Sequence, residues 1–400
     1  MAIDNKDKKI LNVPHLRFPE FSGEWNKCTI NDLATVVGGG TPDTTVKSYW
    51  GGDIQWFTPS EIGKNKYVDF SLRTITRDGL DNSSAKLLPL HTILLSSRAT
   101  VGECSIASNE CTTNQGFQSL IAKQCNIDFL YYLIQTKKKD LIRNACGSTF
   151  LEISANEIRK IKVAVPVQNE QEQIAKLLSL IDERIATQNK IIEKLQSLIK
   201  GLVDELMTVL LKGKLYPFSS FYIKAGEGGT PTTSVVEYYT EGTIPFIKIE
   251  DLSCKYLTNN KDFITELGMQ KSSAWLIPSK SVIYSNGATI GAISINEYPV
   301  CTKQGILGIV PNTNINVEYL YLLMSSSYFS KEISRIITEG TMKTAYLKDI
   351  NHIKCPLPSM AQQKNITNLT SSIEEKLSIE QELLRFLNLQ KQYLLHMMFI

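Results

Sequence analysis

The chain carries the same order of signals twice, displaced by 189 to 193 residues, and any fold it adopts must accommodate that duplication. Gly39-Gly40-Thr41-Pro42 recurs as Gly228-Gly229-Thr230-Pro231, and Gly52-Asp-Ile-Gln-Trp-Phe recurs as Gly242-Thr-Ile-Pro-Phe-Ile. Glu61-Ile62 answers to Asp251-Leu252, Ala85-Lys-Leu-Leu-Pro89 to Ala274-Trp-Leu-Ile-Pro278, and Ala99-Thr-Val-Gly102 to Ala288-Thr-Ile-Gly291. Asn114-Gln115-Gly116 pairs with Lys303-Gln304-Gly305, Phe129-Leu-Tyr-Tyr-Leu133 with Tyr319-Leu-Tyr-Leu-Leu323, and Val165-Pro166 with Leu357-Pro358. So long a period marks a duplicated domain and not a solenoid of short repeats.

Inside each copy the segments are short, rich in β-branched and aromatic residues and bounded by Gly, Pro and Asn, as in Thr92-Ile-Leu-Leu95 and Ser281-Val-Ile-Tyr284. That texture predicts a mainly β domain of the α+β class, with a helix near 127–143 and its counterpart near 317–337. The Gly-Gly-Thr-Pro elements read as turns or loops, because Gly permits positive φ and Pro fixes its own. After each copy the pattern changes to a seven-residue apolar repeat. Ile174, Ile181, Ile185, Leu195 and Leu202 mark the first seam, and Ile366, Ile373, Leu377, Leu387 and Leu394 the second; all ten are candidates for helix–helix and partner contact. Arg184 and Gln188 interrupt the first seam where Lys376 and Glu380 interrupt the second, the kind of break that fixes register at some loss of stability. Each helix has room for roughly 40 residues, on the order of 60 Å at ~1.5 Å per residue. The expected division is a domain over 1–165, a spacer helix over 166–214, a second domain over 215–357 and a second helix over 358–400.

Composition fits a globular chain, with 42% hydrophobic and 21% charged residues. No segment reads as a membrane span, and Met1–Ile10 lacks the apolar core of a secretory signal, so a cytoplasmic home is expected. The eight cysteines form no C-x-x-C pair and sit beside no histidine cluster, which removes the usual zinc and redox spacings; reduced, mostly buried thiols are expected. A phosphate-binding G-x-x-x-x-G-K-[ST] is missing, and the glycine runs lead into Thr-Pro instead of a helix, which speaks against nucleotide binding. The one acidic-acidic-Lys match to a nuclease pattern, Glu374-Glu375-Lys376, falls in the second heptad stretch and reads as a solvated face. No catalytic residue, metal or cofactor is therefore expected.

What remains is loop chemistry suited to binding. Lysines and arginines such as Arg73 can meet phosphates, and Asn or Gln can bond adenine bidentately. The candidates for DNA contact are Thr41, Lys64, Lys66, Arg98, Thr100, Asn114 and Gln115 in the first copy, and Thr230, Lys248, Asn286, Thr289, Lys303, Gln304 and Lys343 in the second. Net charge of +3 permits nucleic-acid binding without arguing for it, so a non-catalytic scaffold tethering two ligand-binding β domains stays open.

The segments Leu16-Arg-Phe-Pro-Glu-Phe-Ser-Gly-Glu-Trp25, Gly147-Ser-Thr-Phe-Leu-Glu-Ile-Ser154, Val165-Pro-Val-Gln-Asn-Glu-Gln-Glu-Gln-Ile174 and Leu180-Ile-Asp-Glu-Arg-Ile185, with both Gly-Gly-Thr-Pro loops, span almost the whole chain. In that order the sequence resembles the specificity subunit of a type I restriction-modification system. The resemblance implies two target-recognition domains separated by two long antiparallel coiled-coil helices in a pseudo-twofold internal repeat. It implies a bipartite double-stranded DNA target, two methyltransferase subunits that modify adenine with S-adenosylmethionine, and separate motor-nuclease subunits. Lys343-Thr-Ala-Tyr departs from Phe150-Leu-Glu-Ile of the first copy, so DNA contacts do not carry across there residue by residue.

Overall fold

A computed structural model describes residues 12–147, 151–287, 289–337 and 343–400; the amino-terminal stretch Met1–Ile10 and the aligned positions Phe150 and Ala288 lie outside them. The chain forms two compact units. The first contains residues up to Asn189 together with Glu382–Ile400, and the second is Lys190–Gln381. Each therefore holds one β domain and one piece of each long helix, Gln168–Leu210 and Met360–Met397.

The duplication is visible strand by strand. In the first unit a five-stranded sheet runs in the order Ala34–Gly38, Gln118–Ala122, Ile93–Leu95, Cys104–Ala107, Tyr67–Val68. The second unit repeats it as Tyr222–Glu227, Ile306–Pro311, Val282–Ser285, Ile293–Asn296, Tyr256–Leu257. A three-stranded sheet follows suit: Arg73–Ile75, Trp50–Phe57, Cys111–Thr113 in one unit and Asp262–Ile264, Ile244–Ile247, Cys301–Thr302 in the other. A two-stranded ribbon closes each domain, Asn26–Thr29 with Lys162–Val165 and Leu215–Pro217 with Lys354–Pro356.

The central strands are buried on both faces, which is why they read as unbroken apolar runs. Ile93 and Leu95 face the helix Ile127–Thr136 and share a core with Phe129, Leu130, Leu133, Ile174 and Leu178, while Leu94 faces Phe57, Leu88 and Phe117. Val282 and Tyr284 likewise share a core with Tyr319, Leu320 and Leu323, and Ile283 packs with Ile247 and Ile277. The helical stretch of each domain is two helices: Ile127–Thr136 and Lys138–Arg143 break at Lys137, and Val317–Ser325 and Ser327–Ile336 break at Ser326. Ser326 is extended and its hydroxyl caps the second piece by accepting from the Phe329 amide, so one helix stops where another starts.

Polar side chains fasten each domain to its long helix. Gln171 accepts the Asn126 amide at 3.0 Å and donates to the Pro166 carbonyl at 2.9 Å; Gln363 does the same with Asn316 at 2.7 Å and Pro358 at 2.9 Å. In the first unit the buried Glu170 also takes Arg17 on both oxygens, at 2.7 and 2.8 Å, and the Trp25 indole at 3.3 Å. Lys391 reaches Asp182 at 2.7 Å, and Leu177 and Leu178 share the core with Leu394 and Leu395, so the two helix pieces of that unit run antiparallel. Phe399 stacks on Phe129 at 5.2 Å, which brings the end of the chain into the first core. In the second unit Val203 and Met207 share the core with Ile366, and Asp204 accepts the Ser327 amide and hydroxyl at 2.8 and 2.6 Å.

Along the heptads Ile174, Ile181 and Ile366 are buried, whereas Ile185, Leu195, Leu202, Ile373, Leu377, Leu387 and Leu394 are half-buried. Gln188 and Glu380 are buried, and Arg184 and Lys376 are exposed. Glu374 is a correction to the solvated face expected of its segment: it pairs with Lys255 and only 17% of its side chain is exposed.

All eight cysteines are free; Cys104, Cys111, Cys125, Cys301 and Cys355 are buried, and Cys146 and Cys254 are exposed. Burial pushes Cys104, Cys111, Cys125 and Cys355 up to about 12 and Cys301 to about 11. A thiol-reactive probe near neutral pH should therefore label Cys146 and Cys254 first in the folded chain, as read by peptide mass mapping. Rapid labelling of the five buried thiols would contradict the packing.

Candidate nucleic-acid interface

The Gly-Gly-Thr-Pro loops are where backbone meets backbone. A Cβ on Gly39 would stand 2.0 Å from the Asn114 carbonyl oxygen, and one on Gly228 would stand 2.1 Å from that of Thr302. Gly40 and Gly229 are pressed as hard, at 2.3 Å from the Ala85 amide nitrogen and 2.2 Å from the Ser273 hydroxyl. Glycine is required here by the close approach and not by a positive φ. The Gly40 amide donates to the Thr113 carbonyl at 2.8 Å, and the Gly228 amide to that of Ile306 at 2.8 Å.

This approach sets the next residue beside the following turn. The Thr41 hydroxyl donates to Gln115 Oε1, and the Gln304 amide donates to the Thr230 hydroxyl at 3.4 Å. Gln115, Lys303 and Gln304 are exposed, and Asn114 is half-buried with Oδ1 accepting the Gly116 amide at 2.8 Å. Aromatic side chains hold the loops from below: Trp56 donates to the Gly40 carbonyl at 2.9 Å, Trp50 to that of Asp43 at 3.1 Å, and Tyr239 to that of Pro231 at 2.5 Å. Hydrogen bonds from the Thr45 amide and hydroxyl hold Asp43 below the usual carboxylate range and shape the turn after Pro42.

A second loop joins each edge. The Ser97 amide donates to the Gly116 carbonyl at 2.8 Å, which puts Arg98 and Thr100 next to the Asn114–Gln115 turn. Arg98 is exposed and paired with Glu152 at 2.7 Å, and Thr100 shares a hydrogen bond with Ser96 at 3.0 Å. In the second unit the Asn286 amide donates to the Gly305 carbonyl at 3.0 Å. Asn286 itself is buried, donating to the Ala345 carbonyl at 3.1 Å, while Thr289 and Lys343 near it are exposed.

Three candidates lie apart from these edges. Lys66 has 9% of its side chain exposed and is consumed by Asp128 at 2.7 Å and Ser179 at 2.6 Å, with Tyr132 4.8 Å below. Its duplicate, Lys255, pairs with Glu318 and Glu374, so this lysine fastens domain to helix in both units. Lys64 is exposed on the Lys66 loop, and Lys248 pairs with Asp262 at 2.9 Å. The Trp50, Trp56 and Tyr239 supports and the Gln171 and Gln363 fasteners escape a reading of the sequence; the only trace was the recurrence of aromatic and Gln residues at matching offsets. Among the described residues no group of His, Cys, Asp and Glu is arranged to hold a metal, and no helix is long and apolar enough to cross a membrane.

A duplicated β scaffold with an exposed loop edge in each copy, each copy followed by a long heptad helix, defines a class of helix-linked binding proteins. The profile of the type I restriction modification DNA specificity domain matches residues 22–197 and 221–388, so the chain belongs to that family of specificity subunits. It is 29% identical over 382 residues to the MjaIX specificity subunit of Methanocaldococcus jannaschii, covering 88% of each chain. It is 29% identical over 175 residues to the EcoR124I/EcoR124II specificity subunit of Escherichia coli, covering 42% of this chain and 43% of the other. The fold is similar to that of a type I restriction-modification S subunit from M. genitalium, with TM-score 0.55, 19% identity and coverage of 97% and 99% of the two chains. A structure of a type I R-M system gives TM-score 0.56 at 14% identity, covering 93% and 96%.

The loop geometry makes a direct prediction. Gly39→Ala should force the loop off the Thr113–Asn114 backbone, at about 1–3 kcal/mol, with faster exchange of the Gly40 and Asn114 amides, which donate to the Thr113 and Phe57 carbonyls. Unchanged exchange and an unchanged unfolding midpoint would contradict the close approach.

Proposed function

We propose that this chain supplies the address for a type I restriction-modification complex: each β domain reads one half of a bipartite double-stranded DNA target. Two methyltransferase subunits bound to it modify an adenine in each half-site, and motor-nuclease subunits act through the same complex on unmodified DNA in the cytoplasm. The chain itself binds and positions and performs no bond-making step. The observation that carries this reading is the loop edge built twice on one scaffold, by the same Gly-Gly backbone contact, with differing side chains displayed on it. Loops on a fixed scaffold can change what they contact while the elements beneath keep their positions. The exposed Thr100, Gln115, Thr289, Lys303, Gln304 and Lys343 of these edges are of the types that bond base edges and phosphates. Membership of the specificity-subunit family supports the same conclusion.

Two outcomes test it. Purified chain alone should incorporate no labelled methyl group into DNA, and methylation should appear when its methyltransferase partners are added. Methyl transfer by the chain alone would refute the address reading. In cells with those partners, replacing the first reading domain, residues 1–165, by that of a relative should change one half of the methylated sequence and leave the other intact. Methylome sequencing that found both halves changed would show that the domains do not read independently.

A further inference from the structure

Arg73 differs from the other arginines of its domain. Arg17, Arg77, Arg98 and Arg143 each pair with a carboxylate and Arg159 donates to Asn156 and to the Val36 carbonyl, whereas among the described residues neither a carboxylate nor a carbonyl pairs with the Arg73 guanidinium, and its side chain is exposed. Its guanidinium lies 3.6 Å from the centre of the Trp50 ring and 5.3 Å from that of Trp56. The two indoles meet edge to face at 5.0 Å, and both donate to carbonyls of the Gly39–Asp43 segment, as described above. Arg73 is the strand partner of Trp56, which is in turn the partner of Thr112, so the residue sits on the strand row that leads to Asn114 and Gln115. The preceding turn is pinned as well: Gln55 accepts the Ser71 amide at 2.7 Å, Glu61 accepts the Leu72 amide at 2.6 Å, and Ser71 donates to the Arg73 carbonyl at 2.6 Å.

A phosphate contact needs a positive charge within reach and little else. Bidentate recognition of a base edge needs a guanidinium plane already held in orientation, because its fork of donors must meet two acceptors at once. We propose that Arg73 is a base-reading residue of the first domain, its plane set by stacking on Trp50, and that it reads a guanine through N7 and O6. This deepens the proposed function and rests on it. At the same strand position the second domain has Asp262 opposite Phe246, paired with Lys248, and Tyr239 takes the loop-fastening place of Trp50. One scaffold thus offers a stacked lone cation in one copy and a Lys–Asp pair in the other, which are unlike chemistries for two unlike half-sites.

The test uses the chain with its methyltransferase partners on duplexes varied one base pair at a time around the target found by methylome sequencing. Arg73→Gln should lower the preference for guanine at one position of one half-site roughly 10- to 100-fold, leaving the other half-site unchanged. Arg73→Lys keeps the charge but loses the fork, so it should lose the same preference while the salt dependence of binding stays as in the parent chain. Equal unfolding midpoints for both variants and the parent would show that folding is not the cause. Uniform weakening on all duplexes with a shallower salt slope would make Arg73 a phosphate contact and overturn the proposal, as would unchanged base preference. If the parent complex modifies no bipartite target at all, the address reading itself fails; a modified target with an indifferent Arg73 removes only this inference.

Discussion

Two stretches of backbone in each domain lie closer together than any side chain allows, and the display of the loop edge depends on that contact. Because Gly39 and Gly228 carry no Cβ, the Gly-Gly-Thr-Pro loop settles against the following turn, and Thr41 and Thr230 then meet Gln115 and Gln304. The indoles of Trp50 and Trp56, and the phenol of Tyr239, hold the loop carbonyls from the other side. The edge is rigid where its backbone is fixed and variable where its side chains point outward, which suits a surface required to recognise different ligands on one frame.

Behind the edge, each domain is fixed to helix by buried polar groups as well as by apolar packing. Glu170 is an enclosed carboxylate, and its burial is offset only because Arg17 grips both oxygens and Trp25 adds a third donor. Gln171 and Gln363 satisfy a helix-capping amide and a proline carbonyl together, and Lys66 and Lys255 bridge domain acids to helix side chains. Removing one partner of such a set leaves the other buried and unpaired, which costs more than the bond is worth in isolation. These contacts give each loop edge a fixed position relative to the helix pieces of its own unit.

The sequence was most legible where a residue type is forced by geometry. Paired glycines recur because no side chain fits the close approach, doubly buried strands such as Ile93–Leu95 because both faces are covered, and the apolar heptads because each long helix must bury a seam, so the duplication, the α+β class and the long helices could all be read. Lone charges were the hardest to read. Lys66, Lys248 and Glu374 look like surface groups until the fold brings Asp128, Asp262 and Lys255 to them, across separations in the chain that no local pattern encodes. The stacked Arg73 was hidden for the same reason, since its ring partner lies on a neighbouring strand. The return of Phe399 to the core around Trp25 and Phe129 joins residues more than 250 positions apart, a contact without a local signal.

That these edges read DNA is best tested by titrating salt against duplex affinity for the chain with its methyltransferase partners, using target and scrambled duplexes side by side. Phosphate neutralisation releases counterions, so the logarithm of affinity should fall linearly with that of salt, at a slope of about −0.9 for each phosphate contacted. Preference for the target duplex should persist as the shared electrostatic part weakens. Affinity that ignores salt, or that weakens equally for both duplexes with no preference at any salt, would contradict the account and favour a scaffold whose β domains hold some other ligand.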